Sequence, residues 1–206
     1  MRADNGISAM RDVTPTPTAS EPVLGIARYD NGAIAFHWTM VVLIVAVGVL
    51  GLLHDSWPKG TSAFWIYIHA LLGLAVWVLV MARFSWRLSH EVPALPAESG
   101  EFSQRFSRPV HLLMYVLIFI TPILGIITFI WHGRVFDFGL FRVDFGVPRN
   151  RAVFHPTEDI HGYLAYALFT LIGLHVLAAL WHQFYRRDRI LARMWPAGRR
   201  SEGHSG

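Results

Sequence analysis

The sequence contains no cysteine among its 206 residues. Without thiols the chain has no disulfide, no CxxCH attachment for a c-type haem and no iron–sulfur cluster held by thiolates. Any redox centre in this protein is therefore noncovalent, and its ligands are histidine, methionine or carboxylate side chains.

Charged residues are also scarce. They make up 16% of the chain, whereas a soluble domain carries about a quarter. Four apolar runs cover residues 34–53, 63–82, 109–131 and 160–184. Each is about twenty residues or longer, enough for a helix to cross a hydrocarbon core of about 30 Å. The sequence predicts an all-α membrane protein, a four-helix transmembrane bundle.

The N-terminal segment lacks the apolar stretch of a signal peptide. Residues 1–27 contain prolines, serines and threonines and are predicted to form a disordered cytoplasmic tail. The four-span domain is predicted to cover residues 28–186, and residues 187–206 form a basic cytoplasmic tail.

The basic residues are unevenly distributed between the connections. Thirteen of the eighteen Lys and Arg lie before the first run, between the second and third, or after the fourth. The other five fall on the opposite side: Lys59, Arg134, Arg142, Arg149 and Arg151. The positive-inside rule then predicts that both termini are cytoplasmic. The net charge of +4 therefore indicates topology and contact with membrane lipid, and not nucleic-acid binding.

Four histidines lie inside the apolar runs: His37, His69, His161 and His175. An ionisable side chain is costly in a membrane unless it has a role. The topology places His37 and His175 in the cytoplasmic half, and His69 and His161 in the outer half. His161 and His175 lie fourteen residues apart on the fourth run, so they share one helix face and differ in depth by about 21 Å.

Two pairs at two depths predict two haem b sites. Haem b takes two axial nitrogens from opposite sides of a flat ring, and helices that face each other across a bundle provide them. The predicted iron ligands are His37 with His175 and His69 with His161. An alternative is that these histidines only join helices by hydrogen bonds to neighbouring carbonyls.

Other residues near the ligands have predicted roles. Gly73, Gly162 and Gly173 leave room for a porphyrin, and Arg28 and Arg83 at the cytoplasmic boundary are candidates to neutralise haem propionates. His182 lies seven residues beyond His175 on nearly the same face, where it is a candidate to donate a proton or hydrogen bond to a quinone. His111 is a weaker cofactor candidate.

With these motifs the chain resembles the bacterial cytochrome b561 family of di-haem membrane proteins. The resemblance covers about residues 28–195 and rests on these groups of residues: Arg28-Tyr29 before His37-Trp38; Ile68-His69 with Gly73 and Arg83; Pro109-Val110-His111-Leu112 with Pro122 and Gly125; His161-Gly162-Tyr163 through Gly173-Leu174-His175 to His182.

The resemblance implies a four-helix bundle in the bacterial cytoplasmic (inner) membrane that holds two b haems, with the same two histidine pairs as ligands. It also implies electron transfer between a partner on the outer side and the ubiquinone pool. The best understood type in this family resembles a superoxide:ubiquinone oxidoreductase, so the chain is expected to be a superoxide oxidase or an electron carrier.

Three functions compete at this point. The first is quinone-linked electron transfer with superoxide as donor, in which Arg134, Arg142, Arg149 and Arg151 steer the anion to the outer haem. The second is a cytochrome b subunit that anchors a partner dehydrogenase or hydrogenase, an outer-side redox protein being the donor. The third is a metal or proton transporter, which the lack of acidic residues in the first three spans disfavours.

Overall fold

The computed structural model of the chain describes residues 28–94, 100–188 and 190–196. Four α-helices make up most of it: α1 (Asn31–Leu52), α2 (Ser62–Ser89), α3 (Glu101–Trp131) and α4 (Arg151–Trp181). Each helix is long and apolar enough to cross a membrane. The predicted tail over residues 1–27 and residues 197–206 lie outside the described residues.

The helices pack in chain order, with α1 against α2, α2 against α3 and α3 against α4. α4 also approaches α1, because Gly48 has no side chain to overlap the ring of Phe169. All four helices contribute to one buried apolar cluster, formed by Met40, Ile44, Val76, Val80, Leu117, Ile118 and Leu168. Large apolar side chains such as Val42, Leu112 and Leu177 are exposed, as expected for surfaces that face lipid.

The bundle has two distinct ends. The hairpin end carries residues 53–61, between α1 and α2, and residues 132–150, between α3 and α4. The terminal end carries residues 28–30, 90–94, 187–188 and 190–196.

The helices are longer than the apolar runs that predict them. α2 continues to Ser89, beyond the run that ends at residue 82, and α3 begins at Glu101, ahead of the run that begins at residue 109. α4 begins at Arg151, ahead of the run that begins at residue 160, and the side chain of Asn150 caps it by accepting a hydrogen bond from the Ala152 N–H. An apolar run marks only the part of a helix that lies in lipid, while polar residues extend the same helix into water.

The connection from α3 to α4 folds back onto the bundle. Its two short antiparallel strands, β1 (Phe136–Asp137) and β2 (Arg142–Val143), form a hairpin. The hydroxyl of Tyr67 on α2 hydrogen-bonds to the backbone of Asp137, and Phe136 stacks on Phe129 of α3 with ring centroids 4.4 Å apart. These contacts fix the hairpin over α2 and α3.

At the terminal end the chain turns back after α4. A π-helical turn (His182–Arg186) leads to Arg187 in the left-handed region. Residues 190–196, part of the predicted tail, then pack beneath α1. Arg193 is only 3% exposed and donates to the carbonyls of Pro93 and Ala94 at 3.0 and 2.8 Å. The Trp38 indole, next to His37, donates to the Met194 carbonyl at 2.8 Å.

Candidate functional site

The hairpin end holds the first histidine pair. His69 on α2 and His161 on α4 face each other with ring centroids 6.0 Å apart and ring planes at 81°. Two imidazoles that bind one metal ion from opposite sides, with metal–nitrogen bonds of about 2 Å each, have centroids roughly 6 Å apart. The separation of this pair therefore suits two axial ligands of one iron.

Hydrogen bonds to the backbone orient both rings. Nδ1 of His69 lies 3.0 Å from the Val47 carbonyl oxygen, and Nδ1 of His161 lies 2.8 Å from that of Thr121. A carbonyl oxygen only accepts, so Nδ1 is the donor in each ring and Nε2 keeps the lone pair that a metal needs. Such a second hydrogen bond is typical of histidines that bind metals.

Each accepting carbonyl is exposed by a glycine one turn further along its helix. Helical side chains point back toward the N-terminus and cover the preceding turn, but Gly51 follows Val47 by four residues and Gly125 follows Thr121 by four. A Cβ on Gly51 would lie 3.1 Å from Cε1 of His69, and a Cβ on Gly125 would lie 3.0 Å from Cε1 of His161. The two glycines let the histidines reach the backbone.

The same two histidines line a cavity of about 290 Å³. Its walls are mainly apolar, and Gly73 and Gly162 both face it with nothing within 4 Å of an added Cβ. The buried hydroxyl of Thr121, also in the wall, has no hydrogen-bond partner among the described residues. Within the described ranges no three His, Asp or Glu side chains converge on a bare metal ion. The two histidines and the apolar walls therefore fit a flat, apolar group whose metal is already held by four nitrogens of that group.

The terminal end holds the second pair, in different surroundings. Arg83 interacts electrostatically with both His37 and His175. The His175 ring meets His111 edge to face at 5.2 Å. Nε of Arg83 donates to the Tyr115 hydroxyl at 2.9 Å, while its buried Nη1 has no hydrogen-bond partner in the part of the chain that the structure describes. An unpaired guanidinium nitrogen beside two histidines suits a ligand that carries a carboxylate.

Two further predicted residues lie at the terminal end. Arg28 is exposed and donates to the Trp195 carbonyl, so it contacts the returning C-terminal segment. His182 is buried, and its Nδ1 lies 2.5 Å from a carboxylate oxygen of Asp188. Asp188 follows the π-helical turn, which folds it back onto His182. Asp188 is not identifiable from the sequence, because an irregular stretch of backbone, and not helical spacing, brings it to the histidine.

Four further features were not predicted from the sequence: Gly51, the accepting carbonyls of Val47 and Thr121, and Tyr115 as the partner of Arg83. The sequence does contain a signal for the glycine and the two carbonyls. A glycine four residues after a carbonyl, in a span that faces a buried histidine, indicates an exposed acceptor.

An apolar four-helix bundle with histidines facing each other between its helices is the architecture of a membrane-embedded b-type cytochrome. Residues 28–197 match the prokaryotic cytochrome b561 family, and the chain belongs to this family. It is therefore a multi-pass cytochrome of the bacterial inner membrane that binds b-type haem and takes part in electron transport.

Several relatives support this membership. Cytochrome b561 homolog 1 of Escherichia coli K12 is 27% identical over 82% of this chain and 97% of its own length. A probable superoxide oxidase of Yersinia pestis, CybB, is 27% identical over 84% of this chain and 98% of its own length. Cytochrome b562 of Cereibacter sphaeroides is 25% identical over 81% and 94%, respectively.

Proposed function

We propose that the chain is a di-haem superoxide:ubiquinone oxidoreductase, with His69 and His161 as ligands of one haem b and His37 and His175 as ligands of the other. The observation that carries the proposal is the hairpin-end pair, whose 6.0 Å centroid separation and Nδ1 hydrogen bonds suit axial ligation. The relative named a probable superoxide oxidase supports the donor.

The proposed orientation follows the positive-inside rule. Both termini are cytoplasmic, so the hairpin end faces outward and meets the donor, while ubiquinone binds toward the terminal end. Bound haems supply one-electron chemistry at the two depths. The overall reaction balances as two superoxide anions plus one quinone and two protons giving two dioxygen molecules and one quinol.

At the terminal end, the His182–Asp188 pair is proposed to manage the protons of this reaction. A carboxylate at 2.5 Å from Nδ1 fixes the orientation of the imidazole, so that Nε2 is the nitrogen left to face a quinone. Arg186 lies 3.9 Å from the same carboxylate oxygen. Arg83, with Nη1 unpaired, and Arg28 are proposed to neutralise haem propionates on this side.

Stopped-flow spectroscopy of the purified protein with superoxide tests the function. We expect rapid reduction of the haem absorption bands, and catalytic superoxide loss when ubiquinone is added. The combined substitution Arg142→Gln, Arg149→Gln and Arg151→Gln removes three exposed outer charges and is expected to slow the reduction and flatten its salt dependence. Haem bands that superoxide does not reduce would refute the oxidase activity.

A second candidate is a cytochrome b subunit that receives electrons from a partner dehydrogenase or hydrogenase. The tip of the hairpin favours it, because Leu140 is 98% exposed and Phe141 is 60% exposed, and exposed apolar clusters often mark protein contacts. Purification with a stoichiometric partner, together with no reduction by superoxide, would support this function in place of the oxidase.

A further inference from the structure

Besides His69 and His161, the hairpin-end cavity has several ionisable side chains at its mouth, the side nearest the two connections. His54, His132, Arg134 and Glu158 line the cavity there, while most of the remaining wall is apolar. His132 Nε2 lies 3.9 Å from a carboxylate oxygen of Glu158. Burial lowers the pKa of His132, and Arg134 acts in the same direction, so this histidine is neutral at pH 7. Arg134 is then the fixed positive charge at the mouth.

Local backbone geometry aims Arg134 at the cavity. α3 ends at Trp131, and Gly133 adopts a left-handed φ of 73° that turns the chain. The Arg134 N–H then bonds back to the Phe129 carbonyl at 3.3 Å, and its guanidinium carbon lies 5.9 Å from the Phe129 ring centroid. A residue other than glycine at 133 would disfavour this turn.

The Arg134 guanidinium is partly buried and makes no hydrogen bond or ion pair with any residue of 28–94, 100–188 or 190–196. Burial lowers its pKa from the ordinary value, while Glu158 raises it, and a guanidinium stays protonated in either case. A partly buried charge whose donors are unused is costly unless an anion accepts from it.

The other arginines of the hairpin end differ in this respect. Arg142 lies 3.8 Å from Asp137, Arg149 lies 5.2 Å from the Phe154 ring centroid, and Arg151 lies 3.5 Å from His155. None of these three lines the cavity. Arg134 therefore differs from the other three arginines of the predicted steering group, because it alone among the four lines the cavity.

We propose that Arg134 anchors a carboxylate of the ligand in this cavity, namely a propionate of the hairpin-end haem. The inference rests on the proposed function in taking haem b as the occupant. A planar guanidinium matches a carboxylate with two parallel hydrogen bonds. This haem is then oriented with its acidic edge at the hairpin end, and Arg134 is a cofactor anchor and not a steering residue.

Redox titration of Arg134→Gln, with Arg142→Gln as the matched control, tests this assignment. A positive charge near the haem favours its reduced state, because reduction adds an electron. Without that charge we expect the equilibrium constant for reduction of the hairpin-end haem to fall about tenfold, which is about 59 mV for one electron. Arg142→Gln is expected to leave this potential unchanged, and Arg134→Lys to retain most of it. An unchanged potential in Arg134→Gln would overturn the proposal.

Reconstitution with haem dimethyl ester separates a propionate from a free anion. The ester has no carboxylates, so the difference in haem affinity between wild type and Arg134→Gln should disappear. A difference in affinity that persists would show that Arg134 holds the haem through a group other than a propionate, which overturns the assignment. If Arg134→Gln loses haem while Arg134→Lys and Arg142→Gln keep it, the anchor is supported; equal loss in Arg142→Gln would contradict it.

Failure of the proposed function gives a different result. If His161→Ala retained the full haem content of wild type, no haem would be bound in this cavity, and the di-haem assignment itself would be wrong. A protein that loses one haem in His161→Ala but shows no effect of Arg134→Gln would refute the anchor alone.

Discussion

The two ends of the bundle each hold two of the predicted histidines, but in different surroundings. At the hairpin end, backbone carbonyls exposed by Gly51 and Gly125 orient His69 and His161. At the terminal end, the neighbours of the second pair are side chains, and residues 190–196 pack beneath α1. Orientation by the backbone depends on the absence of a side chain, whereas orientation by side chains depends on which partners are present.

The strongest test of this comparison removes one ligand from each end. His161→Ala and His175→Ala are each expected to lower the haem content from two to one per chain, because a haem held by one axial ligand is lost from a detergent-purified protein far more readily. Pyridine haemochrome analysis measures the content, and redox titration identifies the haem that remains.

The two variants serve as controls for each other. They should retain different haems, with distinct midpoint potentials, and each should keep the helical circular dichroism of wild type. If either variant lost both haems while remaining folded, the pairing by depth would be wrong.

The fold was predictable from hydropathy, as the four runs correspond to the four helices. Their ends were not, because Glu101 and Arg151 begin helices in polar sequence that an apolar window does not detect. The packing of residues 190–196 was also not predictable. An arginine-rich stretch reads as a solvated tail, yet Arg193 is buried through hydrogen bonds to carbonyls of residues 93 and 94, far away in the sequence.

For the site, the order in which the spans cross the membrane was enough to predict that His69 and His161 lie at the same depth, and the two rings do face each other. The role of Arg134 was not accessible in this way. Its separation from Arg142 depends on a turn at Gly133 and on a hairpin partner, Asp137, for Arg142. Such distinctions arise from loop geometry, for which sequence spacing carries little information.

A smaller effect is expected from Gly125→Ala. The added Cβ would lie 3.2 Å from Nδ1 of His161, so the ring must shift and its hydrogen bond to Thr121 weakens. Loss of such a bond costs about 10–100-fold in metal affinity. We expect weaker binding of the hairpin-end haem and an altered low-spin signal in electron paramagnetic resonance, with the terminal-end haem unaffected.

Gly173→Ala is the matched control, since it adds the same methyl group to a membrane-spanning helix with nothing within 4 Å. It should leave the hairpin-end signal as in wild type. Equal changes in the two variants would mean that the effect comes from general helix stiffening and not from the contact with His161.

The smallest effect concerns the helix caps at the two ends. Asp30 caps α1 by accepting from the Ala33 N–H at 2.9 Å, and it also accepts from the Trp86 indole at 3.0 Å. Asn150 caps α4 at the hairpin end, accepting from the Ala152 N–H at 3.0 Å. Removing either cap with alanine should lower stability at pH 7 by about 1 kcal/mol, measured by thermal unfolding in detergent.

The stability cost of removing each cap should depend differently on pH. The hydrogen bond from Ala33 holds the pKa of Asp30 below its ordinary value of 3.8, and the Trp86 bond acts in the same direction. A carboxyl with a depressed folded pKa stabilises the protein above pH 3.8, and this contribution is lost as the pH falls through the lower folded value. The cost of Asp30→Ala should therefore shrink on acidification, while that of Asn150→Ala stays constant. Parallel pH profiles for the two variants would show that the charge of Asp30 contributes nothing to the cap.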